Sequence, residues 1–220
     1  MLEQGTAASV PNEASSVTRR RRSGAKILLK AAGRGMARLC ILPFFGSYLI
    51  RHALLGDRAF RGSSQWLSII PGLIGDYLRA EFYRLTLARC GAELQISFGT
   101  LFSSPAATIG DNVYIGAYCV IGKADIGSDV LLGSNVHLLS GQRQHGTADL
   151  ETAIRLQPGE PARIRVGRDT WIGNGAIVMA NVGSKCVIGA GSVVASELPD
   201  LAIAAGNPAR ILKMRGAATA

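Results

Sequence analysis

The 220-residue sequence is poor in the residues that build most metal centres and disulfide scaffolds. It has three histidines, and its four cysteines, Cys40, Cys90, Cys119 and Cys186, lie far apart without the paired spacing of a zinc ligand set. That pattern argues against a disulfide-stapled module and predicts reduced, structural thiols and no metal. Aromatic residues are scarce, at 6% of the chain, and acids (15) are outnumbered by Lys and Arg (24). The imbalance is local, because residues 1–60 carry ten Lys and Arg against three acids. This charge precedes an apolar segment rather than aromatic-interleaved grooves, so the expected anionic partner is lipid and not nucleic acid. A long hydrophobic run is also missing. Between Ile27 and Leu55 the longest charge-free part is Leu39 to Ile50, too short to span a bilayer, and Pro43 is expected to break or kink a helix there. No small-residue cleavage site follows Arg19 to Arg22, so neither a secretory nor a twin-arginine signal is expected.

What the chain does contain is an aliphatic residue every six positions. The series is Ile109, Ile115, Ile121; Ile126, Leu132, Leu138; Val166, Ile172, Val178; and Val182, Ile188, Val194, commonly followed by Gly. Six is neither a helical period nor the two of an exposed strand, and a fixed short period marks a solenoid of stacked units. One hexad supplies a short strand and a corner, so three close a triangular coil about one strand spacing high. Twelve hexads predict roughly four coils with inward columns of Ile, Leu and Val. The spacing slips to five after Ile121 and to four after Val178, and slips of this kind fit only at corners. The long break from Ser140 to Arg163 is expected to be an excursion with a functional role.

The chain therefore divides into a disordered basic tail (1–24), an amphipathic helical region (25–92), the solenoid (93–200) with its loop (140–163), and a C-terminal segment (201–220). Two readings stand for the apolar stretch around residues 25–55: an amphipathic anchor lying on an anionic leaflet, with residues 19–55 making the contact, or a helical cap on the open end of the solenoid. A further helix is predicted over residues 76–90, with Asp76 as its N-cap and Gly91 after its last turn.

Imidazole is the side chain that can take up a proton near neutral pH, and the sequence offers three. His52 lies in the basic apolar segment, and His137 precedes the inward Leu138 and so faces outward. His145 opens the long excursion in a Gln142-Arg-Gln-His-Gly146 setting, where a loop histidine by itself is more often a solvated surface residue.

The stretches Ile109-Gly-Asp-Asn-Val-Tyr-Ile-Gly116, Trp171-Ile-Gly-Asn174, Val187-Ile-Gly-Ala-Gly-Ser-Val-Val194 and Ala205-Gly-Asn-Pro-Ala-Arg210 resemble the hexapeptide-repeat acyltransferases. The resemblance covers about Phe98 to Lys213 and is strongest to the branch that acetylates sugars. It implies an all-β left-handed parallel β-helix with an N-terminal helical extension, acetyl-CoA as co-substrate, and a homotrimer with its active site between subunits. His145 would be the catalytic base and the backbone N–H at Asn174 the oxyanion donor, with Asn135, Tyr118 and Trp171 at the acceptor. Trp171 fits equally well as a coil-surface anchor at a subunit contact. Ala190, Gly191 and Ala195 would line the pantetheine groove, and Arg210 and Lys213 would meet the phosphates. The chain departs from the family pattern at Ala117-Tyr118-Cys119, where an acceptor-orienting Asn is common, and at Ser196, where a Lys is common.

The implied function is O-acetylation of a sugar in a cell-envelope or exported polysaccharide or its lipid-linked precursor. The implied location is the cytoplasm, including the membrane face. Serine O-acetylation is a second reading, because Asn181-Val182 and Ala204-Ala-Gly-Asn-Pro-Ala-Arg210 resemble serine acetyltransferases too, although those enzymes carry a long acidic helical domain ahead of the solenoid. A third is a non-enzymatic trimer binding metal across an interface, for which the solenoid offers only His137 and His145.

Overall fold

The computed structural model describes residues 24–216, with side chains from residue 28 onward. The basic tail predicted over 1–24, including Arg19 to Arg22, lies outside the described residues except for Gly24. Three parallel sheets of short strands wrap one shared interior, and each strand pairs with the strand above and below it in the next coil.

On the first face, A, the inward residues are Cys90, Ile109, Ile126, Val166, Val182 and Leu198. Face B stacks Ile96, Ile115, Leu132, Ile172, Ile188 and Ala204. Face C stacks Phe102, Ile121, Leu138, Val178 and Val194. Removing these side chains from water is the main stabilising term, and each Ile→Ala change in a column is expected to cost about 2–5 kcal/mol. The hexads predicted four coils, whereas the structure builds five closed coils and the A and B faces of a sixth. The terminal coils escaped the pattern because Cys90, Phe102 and Ala204 fill positions where the periodic search expects Ile, Leu or Val. The solenoid consequently opens at Arg89 rather than residue 93, and it takes in Ala202–Gly206 from the expected C-terminal segment.

Two of the three corners share one device. Three residues before each inward aliphatic the backbone turns left-handed, at Asn112, Asp129, Asp169 and Lys185 on the A–B corner and at Tyr118, Asn135, Gly175 and Gly191 on the B–C corner. The C–A corner has no such constraint, and every irregular step falls there: Phe102 to Ile109, Ile121 to Ile126, Val178 to Val182, Val194 to Leu198, and the excursion from Leu138 to Ile164. Length can vary at that corner without shifting the columns.

Three helices precede the coils: α1 (Gly24–Leu55), α2 (Asp57–Ser68) and α3 (Gly72–Thr86). The helix predicted at 76–90 starts earlier, because the chain is extended at Pro71 and enters the helix at Gly72; it stops at Thr86 because Arg89–Cys90 must pair with Thr108–Ile109. Asp76 sits inside the helix and binds Arg79 at 2.7 Å instead of capping. Helices α2 and α3 close the first coil, with Phe60, Leu67, Phe82 and Tyr83 buried and Tyr83 packed 4.4 Å from the Phe102 ring. The Arg79 side chain is fully buried and donates to the carbonyls of Ile96, Leu67 and Ile70, fastening the cap to the coil.

Pro43 does not break α1, which runs unbroken through it for 32 residues. Pro43 is on the exposed side, so its ring and the hydrogen bond it forgoes face outward while Ile41 and Tyr48 anchor the buried side on both flanks. The expectation that this segment is too short to span is therefore overturned on length. Leu28–Leu55 is the one helix among the described residues long and apolar enough to cross a membrane.

Candidate active site

The sequence candidates separate onto two corners. Ser140 leaves face C at the C–A corner, and the excursion folds back on itself rather than wandering. Ala162 N–H donates to the Ser140 carbonyl at 2.9 Å and Glu160 N–H to the Arg143 carbonyl at 2.7 Å, which makes a two-legged stem. At the far end the buried Gln157 donates to the carbonyls of Asp149 and Thr152, both at 2.7 Å, and accepts from the Asp149 N–H at 3.2 Å. His145 stands exposed beside this stem.

The base of the stem is tied to the coils by Gln142, which donates to the Ala195 carbonyl, and by Arg163, which reaches Asp125 at 2.6 Å and the Ala106 carbonyl at 2.8 Å. Burial raises the Asp125 carboxyl pKa, but hydrogen bonds from Thr108 and Arg163 and the nearby charges of Arg163 and Arg165 outweigh it and hold the group below its ordinary range. A cleft of about 390 Å³ opens between stem and coils, lined among others by Arg143, Glu160, Met179 and Asn181. Sequence reasoning missed this cleft. Its only signal was the crowding of all irregular steps at one corner.

The B–C corner carries most of the other candidates. Tyr118, Asn135, Gly175 and Gly191 stack as its left-handed residues, with Asn174 and Ala190 beside the last two. The Tyr118 ring covers Gly99, where an added β-carbon would come 2.4 Å from it, and meets Phe98 edge-on at 5.6 Å. Above Asn135 the column opens. A β-carbon on Gly191 would meet nothing within 4 Å, and one on Gly175 would touch only the Gly191 nitrogen at 4.0 Å. The result is a strip of bare backbone two coils high, about 10 Å, bounded below by Asn135 and Tyr118. Gly175 was not among the sequence candidates, although its place three residues before the inward Val178 marks it.

The Asn174 side-chain carbonyl accepts the Ser134 backbone N–H at 2.9 Å and so clips two coils together. Its own backbone N–H has no acceptor among the described residues and is available to a ligand. Trp171 projects outward from face B between Leu131 and Val187, half exposed, three residues ahead of Asn174. Arg210 pairs with Ala205 at the top of the B–C corner, and Lys213 pairs with Ile203 on the same hairpin, both exposed.

Ala195 and His145 thus share the C–A corner, while Asn174, Asn135, Tyr118, Ala190, Gly191 and Arg210 share the B–C corner, with face C between them. His137 faces outward on face C as expected, its Nε2 3.3 Å from the Asn135 side-chain oxygen. Among the described residues no group of His, Cys, Asp or Glu is arranged to hold a metal ion.

Comparison with known proteins places this geometry. Residues 106–140 match the family described as bacterial transferase hexapeptide (six repeats), and residues 163–196 match the hexapeptide repeat of succinyl-transferase. A Saccharomyces cerevisiae protein provisionally named as an acetyltransferase is 34% identical over 111 residues, covering 48% of this chain and 54% of its own length. The galactoside O-acetyltransferase of Escherichia coli is 33% identical over 91 residues, covering 40% of this chain and 42% of its own. The chain spans about a third to three fifths of the length of curated relatives it matches. Among solved structures, a maltose O-acetyltransferase from Clostridium difficile shares the fold with a TM-score of 0.54 at 22% identity, over 74% of this chain and 88% of that one. An N-acyltransferase variant from Bacillus cereus, in complex with dTDP and coenzyme A, has a TM-score of 0.50 at 19% identity, over 59% and 74% of the two chains. Hexapeptide columns, left-handed parallel coils and matching relatives agree: the chain carries a hexapeptide-repeat β-helix similar to that of these acyltransferases.

Proposed function

We propose that the protein is an acetyl-CoA-dependent O-acetyltransferase acting on a sugar hydroxyl of a cell-envelope or exported polysaccharide or its lipid-linked precursor. It works in the cytoplasm as a homotrimer. The observation that carries the reading is the strip of bare backbone at Gly175 and Gly191, beside the unpaired Asn174 N–H. Pantetheine is a thin, amide-bearing arm, and a side-chain-free corner fits it. Arg210 stands at the top of that strip for the phosphates, with Lys213 on the same hairpin. Binding of acetyl-CoA supplies the thioester, and Asn135 and Tyr118 at the lower end of the strip are placed to meet the acceptor.

His145 accepts the acceptor hydroxyl proton as the oxygen adds to the thioester carbonyl. The Asn174 N–H donates to the oxyanion, and collapse releases CoA thiolate, which recovers the proton from the imidazolium. Because His145 and the strip lie on opposite edges of face C, the trimer reading has the base of one copy facing the strip of its neighbour. Relatives that acetylate galactosides or maltose support a sugar acceptor, and the N-acyltransferase neighbour makes amino sugars part of the test.

The test is thiol release from acetyl-CoA across sugars, amino sugars, nucleotide-sugars, lipid-linked sugars and serine. His145→Ala is expected to lower turnover at least about a hundredfold, with His137→Ala within about tenfold of the parent. Full activity of His145→Ala removes His145 as the base, and activity confined to serine removes the sugar reading.

A further inference from the structure

We infer that α1 is an in-plane membrane anchor, which seats one long side on an anionic lipid bilayer without crossing it. This rests on the helix alone and is independent of the chemistry assigned to the solenoid corners. The helix presents Leu28, Met36, Leu39, Leu42, Ile50 and Leu54 to solvent, and only 11% of its most apolar window is buried. With Ala32 and Gly46 these residues recur at steps of three and four, and Gly35 and Ala53 share the same side. No charged residue falls on that side, which runs about 40 Å at helical rise.

The cations of α1 lie elsewhere. Lys30 and Arg34 pair with Glu93 of the first coil, the latter at 2.6 Å. Arg38 pairs with Glu81 of α3 at 3.0 Å, and Arg51 reaches Ser63 of α2 at 3.2 Å and lies 5.6 Å from the Phe44 ring centre. The buried Ala37, Ile41 and Tyr48 lie on the same inward side.

This arrangement decides between crossing and lying flat. The helix is fastened to the cap from Lys30 to Arg51, nearly its whole length, so insertion across a bilayer would tear the ion pairs and carry four cations into hydrocarbon. Lying flat breaks none of them and buries only the charge-free side. Arg19 to Arg22 immediately precede the helix in sequence, and residues 1–60 carry most of the chain's net positive charge, so a bilayer with anionic headgroups matches in sign. Trp66, half exposed and stacked on Phe44 at 5.2 Å, flanks the helix with a ring suited to the headgroup level.

The experiment uses the full chain, with an N-terminal epitope tag, in flotation with vesicles of phosphatidylcholine alone or with 30% phosphatidylglycerol. Binding to the anionic vesicles is expected, with a loss of at least tenfold in Leu39→Glu/Ile50→Glu and thermal unfolding unchanged, because both side chains are exposed. Tag and solenoid should be cleaved by protease from the same side of sealed vesicles. Vesicle binding that survives the double substitution overturns the inference, as does a tag protected while the solenoid is cleaved, which would mean a span. A double substitution that changes the oligomer mass in solution without affecting flotation also overturns it, by making the side a protein contact.

Discussion

Gly159 lies against the peptide that joins Gln144 to His145, so that a β-carbon at Gly159 would come 1.9 Å from the Gln144 carbonyl and 2.7 Å from the His145 nitrogen. The two legs of the excursion are pressed backbone to backbone at the point where His145 emerges. Gly159→Ala has to push that peptide away, since a backbone atom cannot swing aside as a side-chain tip would. The expected outcome is a fall in turnover of at least about tenfold with little change in the solenoid's melting temperature, because displacing the proposed base by an ångström is costly while the columns are untouched. Steady-state kinetics beside a thermal melt checks it, and unchanged kinetics would show that the stem does not place His145.

The open strip predicts an effect on cofactor affinity. Gly191→Asn keeps a residue that tolerates the left-handed backbone, as Asn135 does in the same column, yet puts a side chain where there was open space. KM for acetyl-CoA is expected to rise about tenfold or more with the fold intact. Lys185→Asn, at the left-handed position of the A–B corner, serves as the control and should leave KM unchanged.

Arg79 predicts a large stability effect far from any chemistry. Its guanidinium satisfies three carbonyls and Asp76 while fully buried, and burial pulls its pKa down despite the hydrogen bond and charge of Asp76 and the nearby Tyr83. Arg79→Leu leaves those groups unpaired and is expected to cost about 3–5 kcal/mol in denaturant unfolding. Arg79→Lys should rescue only a small part, since one ammonium cannot reproduce the planar fork.

Acid should loosen the stem at its root. The Asp125 carboxyl is held below its ordinary range, so its contribution is present above the unfolded-state pKa and is lost as pH falls through the lower folded one. The pair with Arg163 is partly exposed, and its contribution is at most about 1 kcal/mol. Hydrogen exchange over residues 140–163 should be faster in Asp125→Asn than in the parent at neutral pH, and the two should converge once acid has protonated the parent's carboxyl. A difference that persists in acid would count against this assignment.

The columns were legible because their signal is local. Ile109, Ile115 and Ile121 announce a period of six within a short stretch of chain, and the strands made from them occupy successive faces. The same search passed over Cys90, Phe102 and Ala204, which fill equivalent inward positions with side chains of other sizes because helices or a hairpin close the ends there. The left-handed corners were legible in part: Asn112, Asp129, Asn135 and Gly191 are residues that accept the conformation, whereas Tyr118, Lys185 and Leu201 adopt it because the stacked coils demand it. Pro43 shows the opposite failure, since a helix breaker by propensity is carried through by packing on the other side of α1.

The sequence alone determined that the chain stacks coils around aliphatic columns and that one histidine leaves them on a long excursion, because periodicity and interruption are properties of neighbours along the chain. Only the tertiary structure decided which corner each piece occupies, that the excursion doubles into a stem, that Asn174 commits its side chain to Ser134 while leaving its N–H open, and that the cations of α1 turn inward. Those outcomes depend on contacts such as Lys30 with Glu93 and Asn174 with Ser134, between residues 40 or more positions apart, whose pairing no local pattern encodes.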